Sequence, residues 1–302
     1  MSPEIGNEIG QGGRHDGGAR ILDRGYRRFE GSRSGVTGAV RSVAWHTTRS
    51  ILGLGRKGRH KVFPIIVTVI AFVPAIGFLV LAALVGDLLE GELQPEYWEL
   101  FGYSIVPALL FTALVAPEAI VRDRRDGMFA LYLSTPLTRP TYLLAKVTAV
   151  VGTLSIITLG PALMWLLGYT LQSLGPDSVL EWVSVAGRIV AAGLIIAALY
   201  TAVSLAAACF TDRRAFASVA VILTILGASI ATGVLVESAE LPDELRLLDP
   251  LSLPIEMAAR LFGERGDEFA GVTTELVVVA CAGWIVSGAA LVWGRYRRLA
   301  AV

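Results

Sequence analysis

The sequence predicts an all-α polytopic membrane protein with six transmembrane helices. Composition gives two reasons: 54% of the 302 residues are hydrophobic and only 17% are charged, whereas a soluble domain carries about 25% charged residues. The third reason is that the apolar residues fall into six runs of roughly 20 residues or more, the length that a helix needs to cross a bilayer. These runs must be helical, because unpaired backbone groups are too costly in hydrocarbon.

Two segments precede the first apolar run. Residues 1–20 are polar and glycine-rich and lack the apolar core of a signal peptide, so we expect a disordered cytoplasmic tail. Residues 21–61 are basic and amphipathic.

Within that second segment, apolar side chains recur at helical spacing, while Arg41, Trp45 and Arg49 share another face. We interpret this pattern as a helix lying in the cytoplasmic membrane interface, with its arginines at anionic lipid headgroups. Contact with a cytoplasmic protein is the alternative. A nucleic-acid partner is not expected, because the sidedness of basic residues in membrane proteins already explains this basic run.

The six predicted spans belong to a transmembrane domain of residues 62–295. The third is long enough to tilt, and the connection before the sixth, residues 237–272, is too long for a plain turn. We expect one or two short helices there, on the outer face; capping of a pathway and a simple solvated loop are both open. The spans occupy residues 62–85, 100–121, 142–171, 182–210, 215–236 and 274–293.

The orientation follows from the basic residues, which concentrate in the cytoplasmic loops of membrane proteins. With six spans, 22 of the 26 Lys and Arg residues fall on the side that holds both termini. The sequence therefore predicts a multi-pass protein of the cell membrane with cytoplasmic N- and C-termini. The four basic residues on the other side are Arg188, Arg246, Arg260 and Arg265.

The spans offer little for catalysis. All three histidines precede the first span, so neither a His-based zinc site nor a Ser-His pair is available inside the bilayer. No phosphate-binding loop of the GxxxxGK[ST] type occurs either. The chain is therefore expected to be no enzyme and to bind no cofactor or metal itself. Glu118 and Arg188 are candidate pathway residues, since ionisable groups within spans are usually functional; for Arg188, snorkelling to the outer headgroups is the alternative.

A polar cassette, DRRDGMFALYLSTPLTRP, separates the second and third spans. We predict a helix at about residues 123–135, with acidic residues near its N-terminus and Pro136 ending it. Its apolar side chains would be exposed to the cytoplasm unless something covers them. Either the ends of neighbouring spans or a second protein could do so.

The run PEAIVRDRRDGMFALYLSTPLTRPTYLLAK, residues 117–146, resembles the cytoplasmic segment of ATP-binding-cassette (ABC) exporter permeases of the type-2 family. The likeness lies in the charged Asp123-Arg124-Arg125 cluster with Gly127, in the LYLSTPL core, and in the basic and tyrosine residues that follow. It extends in outline over residues 35–302.

This resemblance implies a permease that works as a pair, either with an identical copy or with a paralogue. Each permease would bind a separate ABC ATPase subunit, which carries ATP and Mg²⁺, through a coupling helix between spans two and three. The ATPase contacts carried over from the family are Asp123, Arg124, Arg125, Gly127, Phe129, Leu131, Tyr132 and Pro136. The other functions considered are a non-transporting membrane anchor that recruits a cytoplasmic partner and an intramembrane lipid-modifying enzyme or protease.

Overall fold

The structure, a computed structural model, describes residues 35–54, 58–85 and 95–299. Within these ranges the chain is helical and contains no β-strand. The predicted disordered tail and the acidic connection at residues 86–94 lie outside the described residues. In the described part the α-helices follow in the order α1 (Gly35–Ile51), α2 (Arg59–Val85), α3 (Glu99–Tyr103), α4 (Ile105–Leu114), α5 (Glu118–Arg125), α6 (Met128–Leu133), α7 (Arg139–Leu171), α8 (Val179–Ala208), α9 (Arg214–Glu237), α10 (Leu253–Phe262) and α11 (Thr274–Leu299).

Among the described residues, six segments are long and apolar enough to cross a membrane, which confirms the predicted fold class. They are Lys61–Leu84, Ile105–Arg125, Arg139–Leu171, Val179–Ala208, Arg214–Glu237 and Thr274–Arg298.

The spans run up and down, so their ends gather at two levels. One end of the bundle holds the start of α7, the link between α8 and α9, and the last turns of α11; most of the described basic residues lie there, and we call it the basic end. The opposite end holds α3, α10 and the link between α7 and α8.

The core of the bundle forms around α7 and α8. In α8, 67% of the apolar stretch is buried, against 22% in each of α2, α9 and α11. Large side chains such as Trp165 and Tyr200 are fully buried there, where alanines and Gly193 let neighbouring helices approach closely. The peripheral spans present apolar faces outward, as expected of helices that contact lipid.

The second span is broken into α4 and α5 at Pro117. Proline has no backbone N–H and cannot continue the helical ladder, and the Ala116 N–H donates instead to the Phe111 carbonyl, five residues back, at 3.0 Å. The break divides an apolar α4 from a charged α5 that ends in the basic end.

The cassette differs from the single helix predicted for residues 123–135. Asp123, Arg124 and Arg125 form the last turn of α5, and a separate short helix, α6, begins at Met128. Between them Gly127 has φ +64°, a left-handed conformation that glycine adopts without steric cost. The sequence pattern missed this break because the amphipathic spacing continues across the glycine.

Residues 237–272 are folded against the bundle at the opposite end. A 3-10 helix, Asp243–Leu248, precedes α10, which buries Leu253, Met257 and Ala258. Arg260 forms an ion pair with Glu256, both with side chains only 3% exposed, and also donates to the carbonyls of Phe269 and Val272, each at 3.0 Å. The segment is thus an ordered part of the described fold and not a solvated loop.

Candidate functional site

Three helices meet around a buried ion pair at the basic end. The Lys146 ammonium of α7 lies 2.6 Å from Asp123 Oδ2 of α5. Both residues are nearly removed from solvent, with 2% of Lys146 and 8% of Asp123 exposed. A buried charge pair is tolerated when further hydrogen bonds satisfy the remaining donors and acceptors.

Each partner of this pair has a second polar contact. The Tyr142 hydroxyl donates to Asp123 Oδ2 at 2.9 Å, and Lys146 Nζ donates to Thr47 Oγ1 of α1 at 3.0 Å. Four polar groups thereby join segments that are far apart in the sequence. We call Thr47, Asp123, Tyr142 and Lys146 the basic-end network.

Aromatic rings extend this network to the cassette and to the last span. The ring of Tyr132 in α6 lies 5.4 Å from that of Tyr142, which lies 6.1 Å from Tyr296 in α11. The Lys146 ammonium is 5.7 Å from the Tyr132 ring centroid, within the range of a cation–π interaction. The short helix therefore packs on α7 through Tyr132, and Tyr142 continues this contact to α11.

Tyr132 remains a neutral phenol at physiological pH. Burial raises its pKa above the usual value, the negative charge of Asp123 raises that pKa further, and Arg122 opposes both effects. Its ordinary pKa of about 10 is already well above neutrality, so its contribution here is packing and polarity, not charge.

A small cavity of about 70 Å³ adjoins the network and is lined by residues of α1, α5, α6 and α7, among them Glu118 and Asp126. Its walls are polar enough to hold water. Glu118 also forms an ion pair with Arg214 at the start of α9, at 3.3 Å. Glu118 thus belongs to the set of contacts at the basic end.

The three predicted contact residues at the end of α5 point in different directions. Asp123 is turned inward, to Lys146. Arg124 lies mostly inside, where it pairs with Asp212 at 3.0 Å and donates to the Cys209 carbonyl. Arg125 is exposed, with its guanidinium 3.1 Å from Asp126.

The other predicted contact residues lie on α6 and the turns around it. Leu131 is 59% exposed, and Gly127 and Pro136 are also exposed, whereas Tyr132 is half-buried. The side chain of Phe129 lies outside the described part of the structure. The predicted role of this set as an ATPase contact stays a prediction.

Arg188, the second candidate pathway residue, is far from the network. It is exposed on α8 near the opposite end, with its guanidinium carbon 5.9 Å from the Phe262 ring centroid of α10. Glu118 and Arg188 therefore do not form one site, and their role in a pathway remains a prediction.

Helix α1 has two distinct faces. Val43, Thr47 and Ile51 are buried against the bundle, while Arg41, Trp45 and Arg49 are exposed, and 63% of Trp45 is accessible. The exposed stripe is the one that the sequence assigns to the membrane interface.

Sequence reasoning missed Lys146 and Tyr142 as site residues. Lys146 lies two turns inside a long apolar span, and an ionisable residue in that position is a signal of function or of a buried partner. In the sequence it stands among the basic and tyrosine residues that follow the cassette, and their spacing alone does not give it a role. Its partner could not be identified from the sequence, because the 23-residue separation of Lys146 from Asp123 spans the break at Gly127.

The chain is similar to a known family of membrane proteins. Residues 94–292 match the family model described as "ABC-2 family transporter protein". A search of curated proteins finds no match to the chain. The matched residues include the second to fifth spans and most of the sixth, together with the cassette, the charged pair of the basic-end network and the folded segment at the opposite end.

Proposed function

Because the chain belongs to the ABC-2 family of transporter proteins, we propose that it is the transmembrane permease subunit of an ATP-driven exporter. Two permeases form the path across the membrane. Separate ABC ATPase subunits, which bind ATP and Mg²⁺, supply the energy. The basic end faces the cytoplasm, as the distribution of Lys and Arg favours, and α1 lies in the cytoplasmic interface with Arg41, Trp45 and Arg49 towards lipid.

The observation that carries this proposal is the exposed apolar surface of α6. Met128 is 37% exposed and Leu131 is 59% exposed, and the helix lies in a connection between spans, where water would surround it. No other described segment covers Leu131. An apolar surface of this kind on a polar loop favours a protein partner.

Movement of α6 would reach the spans through the basic-end network. Tyr132 packs on Tyr142, and the Asp123–Lys146 pair ties α5 to α7. A rigid-body displacement of α6 by a closing ATPase dimer would therefore shift α5, α7 and α1 together. In this mechanism Asp123 and Lys146 position the helices, and the outward-facing Arg125, Leu131 and Pro136, with Phe129, make the contact.

The test is co-expression with a candidate ABC ATPase subunit and purification of the pair in nanodiscs. Leu131→Asp, alone and with Phe129→Asp, is expected to abolish co-purification and transport-linked ATP hydrolysis, because a charge would be buried in an apolar contact. Leu248→Asp is the matched control, since Leu248 is 57% exposed but lies at the opposite end.

Two results would contradict the proposal. Retention of the ATPase by the Leu131→Asp, Phe129→Asp double variant would exclude α6 as the contact. Association with the ATPase without any ATP-dependent transport by the unmodified pair would favour a membrane anchor that only recruits a partner.

A further inference from the structure

A groove of about 330 Å³ lies on the outer surface of α7, α8 and α11. Its walls are formed almost entirely by apolar side chains, and Leu144, Val147 and Trp293 are exposed along it. Lys146 lies on another side of α7, where it contacts α5 and α1. The groove is therefore separate from the basic-end network.

At the base of the groove the backbones of two helices are in contact. A Cβ atom at Gly288 of α11 would lie 2.9 Å from the Ala202 carbonyl carbon of α8, so only glycine permits this approach. The space above the contact is thus bounded by close-packed backbone and not by side chains that could move in to fill it.

The groove runs from the headgroup level into the hydrocarbon of one leaflet. Helix α7 has 33 residues, about 50 Å of helix, so it is longer than the hydrocarbon thickness of about 30 Å and its first turns lie at the headgroup level. On α7 the groove extends from Pro140 to Val151, about 16 Å, and it therefore enters the leaflet at the basic end. Its open side faces the lipids of that leaflet.

One wall carries a hydroxyl with no partner. Thr201 is 1% exposed, and its Oγ1 has no hydrogen-bond partner among the described residues. Most buried hydroxyl groups are paired, and other buried threonines of the spans, such as Thr112 and Thr153, donate to a carbonyl four residues back. The Thr201 hydroxyl is therefore available to an acceptor that enters the groove.

Two arginines flank the groove where it reaches the basic end. Arg139 lies one turn before Leu143 on α7, and Arg297 lies one turn after Trp293 on α11, so both share the face that lines the groove. Arg297 is exposed. An apolar groove with cationic side chains at the headgroup level complements a lipid with an anionic headgroup.

We propose that this groove binds one acyl chain of an anionic phospholipid, with Thr201 donating to the ester carbonyl oxygen and Arg139 and Arg297 facing the phosphate. Thr201 lies two turns before the end of α8 at Ala208, about 10 Å along the helix, which places its hydroxyl near the level at which the glycerol esters meet the hydrocarbon.

The test uses the full chain in nanodiscs that contain either phosphatidylglycerol or phosphatidylcholine with a photoreactive group on one acyl chain. Cross-linked peptides are located by mass spectrometry. Phosphatidylglycerol is expected to label the α7 and α11 segments of the groove more strongly than phosphatidylcholine does. Addition of unlabelled phosphatidylglycerol should compete with this labelling.

A pair of variants tests the position of the site. Ala289 is exposed and lines the groove, whereas its neighbour Ala290 is exposed but does not line it. Ala289→Trp is expected to fill the groove and remove the labelling, and Ala290→Trp to leave it unchanged. Equal labelling of the two variants would overturn the proposal.

Two further variants test the polar contacts. Thr201→Val keeps the shape of the side chain and should weaken competition by unlabelled lipid about twofold to tenfold, the worth of one hydrogen bond. Arg139→Gln with Arg297→Gln should weaken the binding of phosphatidylglycerol by about fivefold per charge. The binding of phosphatidylcholine should not change. Equal labelling by the two lipids in the unmodified chain would overturn the assignment of an anionic ligand. None of these measurements involves an ATPase, so their failure is distinct from failure of the proposed transport function.

Discussion

At the scale of single residues, the Asp123–Lys146 pair is held by contacts that leave neither charge alone. Its carboxylate accepts from Tyr142 as well as from Lys146, and its ammonium also donates to Thr47. These groups come from α1, α5 and α7, so the pair fixes the register of three helices and not merely the stability of one. A buried ion pair is best understood in this way, because its net contribution to stability is often small.

Lys146→Met is expected to destabilise the protein strongly. The variant keeps an apolar side chain of similar length but leaves Asp123 buried without its cation, which typically costs about 3–5 kcal/mol. Thermal unfolding of the purified chain in detergent at neutral pH measures the loss.

The matched control removes both charges. Lys146→Met combined with Asp123→Leu should recover much of the stability, since replacing a whole buried pair with apolar residues is often nearly neutral. A double variant as unstable as Lys146→Met alone would show that the pair is not coupled. If the double variant is stable but fails to couple an ATPase, the network has a positioning role beyond stability.

At the scale of elements, the turn between α5 and α6 determines where the exposed helix points. Gly127 adopts φ +64°, and a Cβ atom there would meet nothing within 4 Å. The cost of any other residue therefore comes from the backbone and not from a clash. A left-handed residue with a Cβ is disfavoured by about 1–2 kcal/mol.

Gly127→Ala is accordingly expected to lower the thermal stability by about 1 kcal/mol or to redirect α6, with weaker ATPase binding as a second readout. Gly127→Asn should be milder, because asparagine tolerates this conformation. Gly152→Ala in α7 is the matched control: it too has open space around it, but it lies within a regular helix, where alanine is at least as favourable as glycine. Equal losses for Gly127→Ala and Gly152→Ala would contradict the backbone explanation.

The sequence predicts the spans but not the contacts between them. Hydrophobicity and length suffice for a span, because the bilayer requires every such run to be helical. The end of α5 could not be placed, since Gly127 interrupts a pattern that otherwise continues. The partner of Lys146 is a tertiary contact, and nothing in one sequence specifies which acidic residue it meets.

At the scale of the whole molecule, the even number of spans places the start of the first span and the end of the last span at the basic end. We expect this end to face the cytoplasm. Cys209 and Cys281 are both buried. A single cysteine introduced at a surface position can therefore report on which side of the membrane that position lies.

Thr135→Cys and Glu244→Cys provide that report. Both positions are exposed, one in the link after α6 and the other in the 3-10 helix at the opposite end. In intact cells a membrane-impermeant thiol reagent should label Glu244→Cys only, and Thr135→Cys should react after the membrane is opened. Labelling in the reverse order would invert the topology and remove the basis for an ATPase at the basic end.

The break at Pro117 gives the second span the properties of a hinged lever. Helix α5 is a rigid arm of eight residues, about 12 Å long, whose pivot lies where the backbone ladder is interrupted. A sideways push at the Gly127 end could swing this arm without bending α4, because a hinge transmits little bending moment. The same joint would convert a displacement of a few ångströms at the loop into torque on α7, through the buried contacts of Asp123 with Lys146 and Tyr142.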